Sequence, residues 1–275
     1  MLKQMLRRLS ADAPVKDQAP PAPADRIENA VPAMCFRTAG SWYPPLMVSA
    51  AMIGAEAQQR RRIEAARALL LRLTPDDYAR FMADYYAQGL ARFGDAWVFA
   101  DIVTVLLALT EWLKPRRYLE VGVRRGRSAC AVASLAPTCK LALFDMWVEN
   151  YAGMANPGAD FVRAELAGVG HRGEAVFVDG NSHETLKRYF RDNPGEVFDL
   201  ITIDGDHSEA GATEDIRDVL PHLAIGGALV LDDIAHPAHP ELSQVWHQAI
   251  ESEPRLSTWM FDGVGYGVGF ALRKW

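Results

Sequence analysis

The spacing of apolar residues changes at Pro115. Downstream they gather in short runs without strict alternation: Tyr118 to Val121, Leu141 to Phe144, Ala175 to Val178, Leu200 to Ile203 and Ala228 to Leu231. Each run is followed by a loop and a helix-compatible stretch, the pattern of parallel strands buried on both faces and separated by helices. Thr258 to Phe261 and Gly267 to Leu272, joined by a Gly-rich turn, predict a closing antiparallel pair. Upstream the spacing is helical. Ile63, Ala66, Leu69 and Leu70 predict one helix over about Ala55 to Leu73. Thr74-Pro75-Asp76-Asp77 reads as the start of the next, with Thr74 as N-cap and Pro75 at the first helical position. A third helix is predicted from Ala96 to Leu113, ending before Lys114-Pro115; Asp101 and Glu111 interrupt it, so it reads as a buried helix and not a membrane span.

Residues from about Ser10 to Pro32 are rich in Ala, Pro and Asp and too poor in large apolar side chains to build a core. The expected organisation is therefore a disordered or linker-like tail over 1–40, a helical extension or lid over 41–96, and an α/β domain over 97–275. Ordered structure is expected to begin near Trp42.

Composition narrows the function. The 275 residues carry 29 Lys and Arg against 35 Asp and Glu, a net charge of -6, which disfavours a nucleic-acid partner. Cys35, Cys130 and Cys139 form no pairing framework, and MLKQMLRRL lacks the apolar core of a secretory leader, so a cytoplasmic protein with reduced thiols is expected.

The chemistry concentrates at the strand ends. The first strand runs into Glu120-Val121-Gly122-Val123-Arg124-Arg125-Gly126-Arg127-Ser128, an E-x-G-x-x-x-G loop. Its glycines permit a sharp strand-to-helix turn and close approach of a ligand to the backbone. A carboxylate at the strand end repels a pyrophosphate but suits a ligand bearing an ammonium group. The second strand ends in Asp145, placed to accept hydrogen bonds from two ribose hydroxyls, and the third in Asp179-Gly180-Asn181-Ser182, where Asn181 can meet an adenine edge. The fourth and fifth end in Asp204-Gly205-Asp206-His207 and Asp232-Asp233. Polar residues at five strand ends on one sheet edge describe a ligand crevice.

On the E-x-G-x-x-x-G loop, the run IDGDHSEAGATEDIRDVLPHLAIGGALVLDDI from Ile203 to Ile234, and the terminal GYGVGFALRK, the chain from about Trp97 onward resembles the class I S-adenosylmethionine-dependent methyltransferases. Within them it is similar to the cephalosporin-hydroxylase-like and macrocin-type sugar O-methyltransferase families. The resemblance implies a Rossmann-like, mostly parallel seven-stranded sheet with a C-terminal antiparallel strand. It also implies that Glu120, Gly122 and Gly126, with Ser128, border the methionine end of S-adenosyl-L-methionine. Asp145 then takes the ribose, and Asn181 with Ser182 lies near adenine; family members often carry an acid at the Asn181 position.

An alcohol is a poor nucleophile until its proton is removed, and a divalent metal that binds the hydroxyl helps in that step. Asp204, Asp232 and Asp233 offer oxygen ligands suited to Mg²⁺ or Mn²⁺. His207, three residues after Asp204, suits a general base, with Asp206 its rival. The same acids can equally cap the helix near Glu209 or satisfy backbone donors after the fifth strand. The expected reaction is O-methylation of a sugar or other hydroxyl-bearing small molecule or glycan. Against it stand a metal-independent N- or carboxyl methyltransferase and a nicotinamide-dependent oxidoreductase, whose G-x-G-x-x-G spacing is missing. The helices before Trp97 are free to cover the active site or to pair with a second subunit in a homo-oligomer.

Overall fold

A computed structural model describes residues 46–150, 153 and 155–275. The tail expected over 1–40, the start near Trp42 and Cys35 lie outside them. Seven strands form one sheet in the order β3-β2-β1-β4-β5-β7-β6. They are β1 (Arg117–Val121), β2 (Lys140–Asp145), β3 (Ala175–Asp179), β4 (Phe198–Ile203), β5 (Leu223–Asp232), β6 (Leu256–Phe261) and β7 (Val268–Arg273). The first five are mutually parallel, and β7 runs antiparallel to both β5 and β6. All seven predicted runs are strands. Helices cover both faces of the central strands β1, β2, β4 and β5, which is why those runs show no polar alternation.

Alternate residues of each strand serve two cores. Tyr118, Leu141, Leu143, Leu200, Ala228 and Val230 pack on the face covered by α1 (Ala50–Ala57), α2 (Arg60–Leu70), α4 (Ile102–Leu113) and α5 (Arg127–Leu135). Leu119, Val121, Phe144, Ile201, Ile203, Leu229 and Leu231 pack on the face covered by α7 (Ser182–Asp192), α8 (Glu209–Val219) and α9 (Glu241–Val245). The stretch read as an extension or lid contributes Ile53, Ile63, Leu69 and Leu70 to the first of these cores. Gly54 of α1 lies so close to β6 that a methyl there would fall 2.2 Å from the Trp259 ring. α4 is buried nearly all round because it lies between the sheet and α1 and α2.

Three helix boundaries differ from expectation. The single helix over Ala55 to Leu73 is two, since Gln59 is extended (φ -70, ψ 144) and N-caps α2. Asp76, not Thr74, caps α3 (Asp77–Phe93): its carboxylate accepts the Ala79 N–H at 2.7 Å. Asp101, which looked like an interruption, caps α4 through a reciprocal box with Thr104, and 97–101 stay outside the helix. Among the described residues no helix is long and apolar enough to cross a membrane, and Cys130 and Cys139 are free and buried.

Candidate active site

The order in which strands are added to the sheet reverses between β1 and β4, which are parallel: the connection from β1 leads to β2 on one side, while β4 and β5 lie on the other. Ligands of open α/β sheets bind at such a point, outside the carboxyl ends of the strands. Here the loops after β1 and β4 touch. Gly122 has φ +88, and a Cβ on it would lie 1.9 Å from the Asp204 carbonyl oxygen. Gly126, at φ +72, N-caps α5, and a Cβ there would meet Val162 of α6 (Ala159–Gly168) at 2.6 Å. Both glycines are required by the turn itself.

Glu120 does not open onto the crevice. Its side chain is fully buried and accepts a hydrogen bond from Ser128 Oγ, while the Tyr118 hydroxyl lies 3.0 Å from its second oxygen and 2.9 Å from Thr202 Oγ1. The carboxyl therefore ties the first turn of α5 to β1 from behind the loop. Burial pushes it up to about 8; the two hydroxyl bonds oppose that rise, and the charges of Asp204 and Asp145 add to it. Ser128 is engaged on Glu120 in the same way.

Asp145, at the end of β2, also works on the loop. One oxygen accepts the Arg124 N–H at 2.6 Å, and the other accepts the Trp147 N–H at 2.6 Å and the Asn156 amide at 3.3 Å. Each carboxylate oxygen has two lone pairs, so the group keeps capacity for a further donor. Trp147 is pinned by its indole N–H on Asp179 at 2.7 Å. Asn181 N-caps α7, its side-chain oxygen accepting the His183 N–H at 3.0 Å, so its amide NH₂ is what remains for a ligand; Ser182 is the first residue of that helix.

At the ends of β4 and β5, Asp204, His207 and Asp233 each present one ligand atom, all within 4.8 Å of one another. His207 Nε2 lies 3.3 Å from Asp204 and 3.7 Å from Asp233. Burial works to lower the imidazole's pKa, but the Asp204 bond and the charges of Asp204, Asp233 and Asp206 outweigh it, and the net shift is upward. Burial and the neighbouring Asp204 push Asp233 up to about 7. Asp233 also holds a left-handed backbone, φ 58.

Two members of the expected constellation fall elsewhere. Asp232 is the last residue of β5, on the face of Ala228 and Val230, and does not join the three-donor group; His207 stands in it instead. The Asp232 carboxyl sits in the field of Asp233, Asp204 and Asp101, and burial with those charges raises its pKa well above the ordinary value. Asp206 accepts the Ser208 N–H at 2.8 Å, and its other oxygen lies 3.9 Å from His183. It packs so closely on α8 that a Cβ at Gly211 would fall 2.1 Å from its carboxyl carbon. Ser208 caps that helix. Neither displacement has a local sequence signal, although the period of two along β5 separates 232 from its neighbours.

Sequence reasoning missed a row of rings leading away from His207. Ring centroids lie 4.9 Å apart for His207 and His239, 5.1 Å for His239 and His236, and 4.2 Å for His236 and Tyr266. It also missed that Asp76, beyond its role as a helix cap, binds Arg125 and Arg127 of the β1 loop.

The strand order, the single antiparallel β7 and the crevice at the switch point are those of the Rossmann-like methyltransferase fold. Residues 119–234, from within β1 to just past β5, match the family model described as a methyltransferase domain. No curated protein sequence gives a significant match. Among solved structures, the chain is similar to the O-methyltransferase TomG of Streptomyces achromogenes, involved in tomaymycin synthesis and solved with S-adenosylmethionine. The identity is 20%, the match covers 74% of this chain and 92% of that one, and the TM-score is 0.51. An O-methyltransferase of Bacillus cereus solved with S-adenosylhomocysteine is similar at 18% identity, over 74% and 93% of the two chains, with a TM-score of 0.51. Both likenesses concern the fold.

Proposed function

We propose that the chain transfers a methyl group from S-adenosylmethionine to a hydroxyl of a sugar or other small-molecule or glycan acceptor, assisted by a divalent cation. The observation that carries this reading is the convergence of Asp204, His207 and Asp233 at the ends of β4 and β5, beside the loop after β1. Both solved neighbours are O-methyltransferases by name, which accords with it.

In this reading the cofactor lies across the ends of β1 to β3. Gly122 and Gly126 keep the loop open to its methionine end while Glu120 and Ser128 brace that loop from behind. Asp145 receives the ribose, and Asn181 and Ser182 border adenine. The acceptor occupies the neighbouring end of β4 and β5. Its oxygen bonds to the methyl carbon as the carbon–sulfur bond breaks, the electron pair returns to sulfur, and the hydroxyl proton passes to the His207 imidazole. Asp204 and Asp233 suit His207 to that role, since their charges favour the protonated imidazole over the neutral one.

The donor set fits a cation. Two carboxylates and one imidazole face one another in a partly buried place, and burial together with the Asp204 charge raises the proton affinity of Asp233. Asp204 and Asp233 would hold the ion, with Asp232 adding charge beside them and His207 adjacent as the base; Mg²⁺ or Mn²⁺ suits the carboxylates. Such an ion lowers the acceptor hydroxyl's pKa and fixes its direction.

A screen of diol-bearing acceptors with labelled S-adenosylmethionine, with EDTA and after Mg²⁺ or Mn²⁺ add-back, tests this. Turnover should be lost in chelator, return on add-back, and be strongly reduced in Asp233→Ala while cofactor affinity stays within about threefold (~0.6 kcal/mol). Full turnover by protein that metal analysis shows to be empty would leave these acids as loop and capping residues.

A further inference from the structure

Three arginines crowd the loop that leads into α5: Arg124, Arg125 and Arg127. The positive end of a helix dipole is a poor place for cations, so their stability there needs a partner from elsewhere. Asp76 supplies it. While one of its oxygens caps α3, the other lies 3.0 Å from Arg125 Nε and 2.5 Å from Arg127 Nη2. The side chains of Arg125 and Arg127 are only 9% and 14% exposed, so these pairs are largely shielded from water. Further contacts fasten the same segment. The Arg127 guanidinium lies 4.9 Å from the Tyr78 ring centroid, and Arg125 donates to the Thr74 carbonyl at 3.3 Å. Thr74 donates its N–H at 2.8 Å and its hydroxyl at 2.5 Å to the two oxygens of Glu165 on α6. Residues 74–78 are thus bolted to both helices that flank the glycine turn. That turn contains three left-handed residues, Gly122, Arg124 and Gly126, and Asp145 and Glu120 hold it from the sheet side only.

We propose that Asp76 is a positioning residue for the cofactor: by drawing Arg125 and Arg127 together it fixes the β1–α5 loop in the shape that receives the methionine end of S-adenosylmethionine. The proposal rests on placing that end over this loop. It assigns the segment before α3 to the cofactor site although that segment lies outside the methyltransferase-domain match at 119–234. Removing Asp76 leaves two shielded arginines facing each other, and the loop relieves that repulsion by moving.

Asp76→Asn separates the two jobs of the residue, because Asn caps a helix as well as Asp does but brings no charge to the arginines. Calorimetry with S-adenosylhomocysteine on the full chain should give wild-type binding and about a tenfold rise in Kd for Asp76→Asn. The KM for S-adenosylmethionine should rise in step while kcat at saturation holds. Arg127→Gln should lose as much, and the double variant should lose little more, since both changes break one pair. Affinity in Asp76→Asn within twofold of wild type, or additive losses in the double variant, would overturn the proposal. Should Asp76→Asn fail to fold, Arg127→Gln alone decides: unchanged affinity overturns it and a comparable loss supports it. Absence of binding by the wild type would instead remove the cofactor reading beneath it.

Discussion

Glu120 gives a measurable link between burial and pH. Its carboxyl is fully buried and pushed up to about 8 from an ordinary 4.5. Between those two values the folded protein holds a proton that the unfolded chain has released, so stability falls as pH rises through that window and levels off above it. At about 1.4 kcal/mol per pH unit, the whole window corresponds to something on the order of 5 kcal/mol. Glu120→Gln removes the titration and keeps the contacts: Ser128 can donate to the amide oxygen, and the amide NH₂ can donate to Tyr118, whose own proton turns to Thr202. Urea unfolding of both proteins at pH 5.5, 7 and 8.5 is the assay. The variant's stability relative to the wild type should grow by about 3 kcal/mol from the acid end to the alkaline end. Asp233 and Asp215, raised to about 7 and about 6, titrate in both proteins and cancel in the difference. A difference that is flat with pH, or a variant that weakens as pH rises, would refute the assignment of Glu120 as a neutral buried strut.

Two substitutions test the packing around the crevice. Gly122→Ala drives a methyl into the Asp204 carbonyl at 1.9 Å and imposes an L side chain at φ +88. It should cost on the order of 2–3 kcal/mol in urea unfolding and weaken S-adenosylhomocysteine binding; a variant with wild-type stability and affinity would show that the two loops do not meet. Gly54→Val forces α1 off the Trp259 ring and should lower global stability by about 1–3 kcal/mol. If α1 instead behaved as a separate lid, the main unfolding transition would not move.

The sheet was legible because its strands are covered on both faces, so that apolar runs such as Leu200 to Ile203 stand out against polar loops. The acids at the strand ends were legible for the same reason: the chain leaves the core there. Boundaries set by one residue's backbone were not. Gln58 and Gln59 are good helix formers, and nothing in them announces that Gln59 turns extended. Asp101 is charged, apolar residues surround it, and only the reciprocal bond with Thr104 reveals a cap. Side-chain direction in the loops was the least readable. Asp206 and His207 are neighbours, yet tight packing at Gly211 turns Asp206 onto α8 while His207 meets Asp204 and Asp233. Asp76 was seen as part of a helix start, but its arginine partners lie 49 and 51 residues away in sequence, which no local pattern encodes.

The identity of the ligand in the crevice is tested most directly by calorimetric titration of the purified chain with S-adenosylhomocysteine and, separately, with NAD. The turn at Gly122 and Gly126, the single acid at the end of β2 and the sheet order lead to one expected result. S-adenosylhomocysteine binds at one site per chain, NAD gives no heat of binding, and Asp145→Ala weakens the complex at least about tenfold (~1.4 kcal/mol). Folded protein that binds NAD and ignores S-adenosylhomocysteine would contradict the methyltransferase reading at its base.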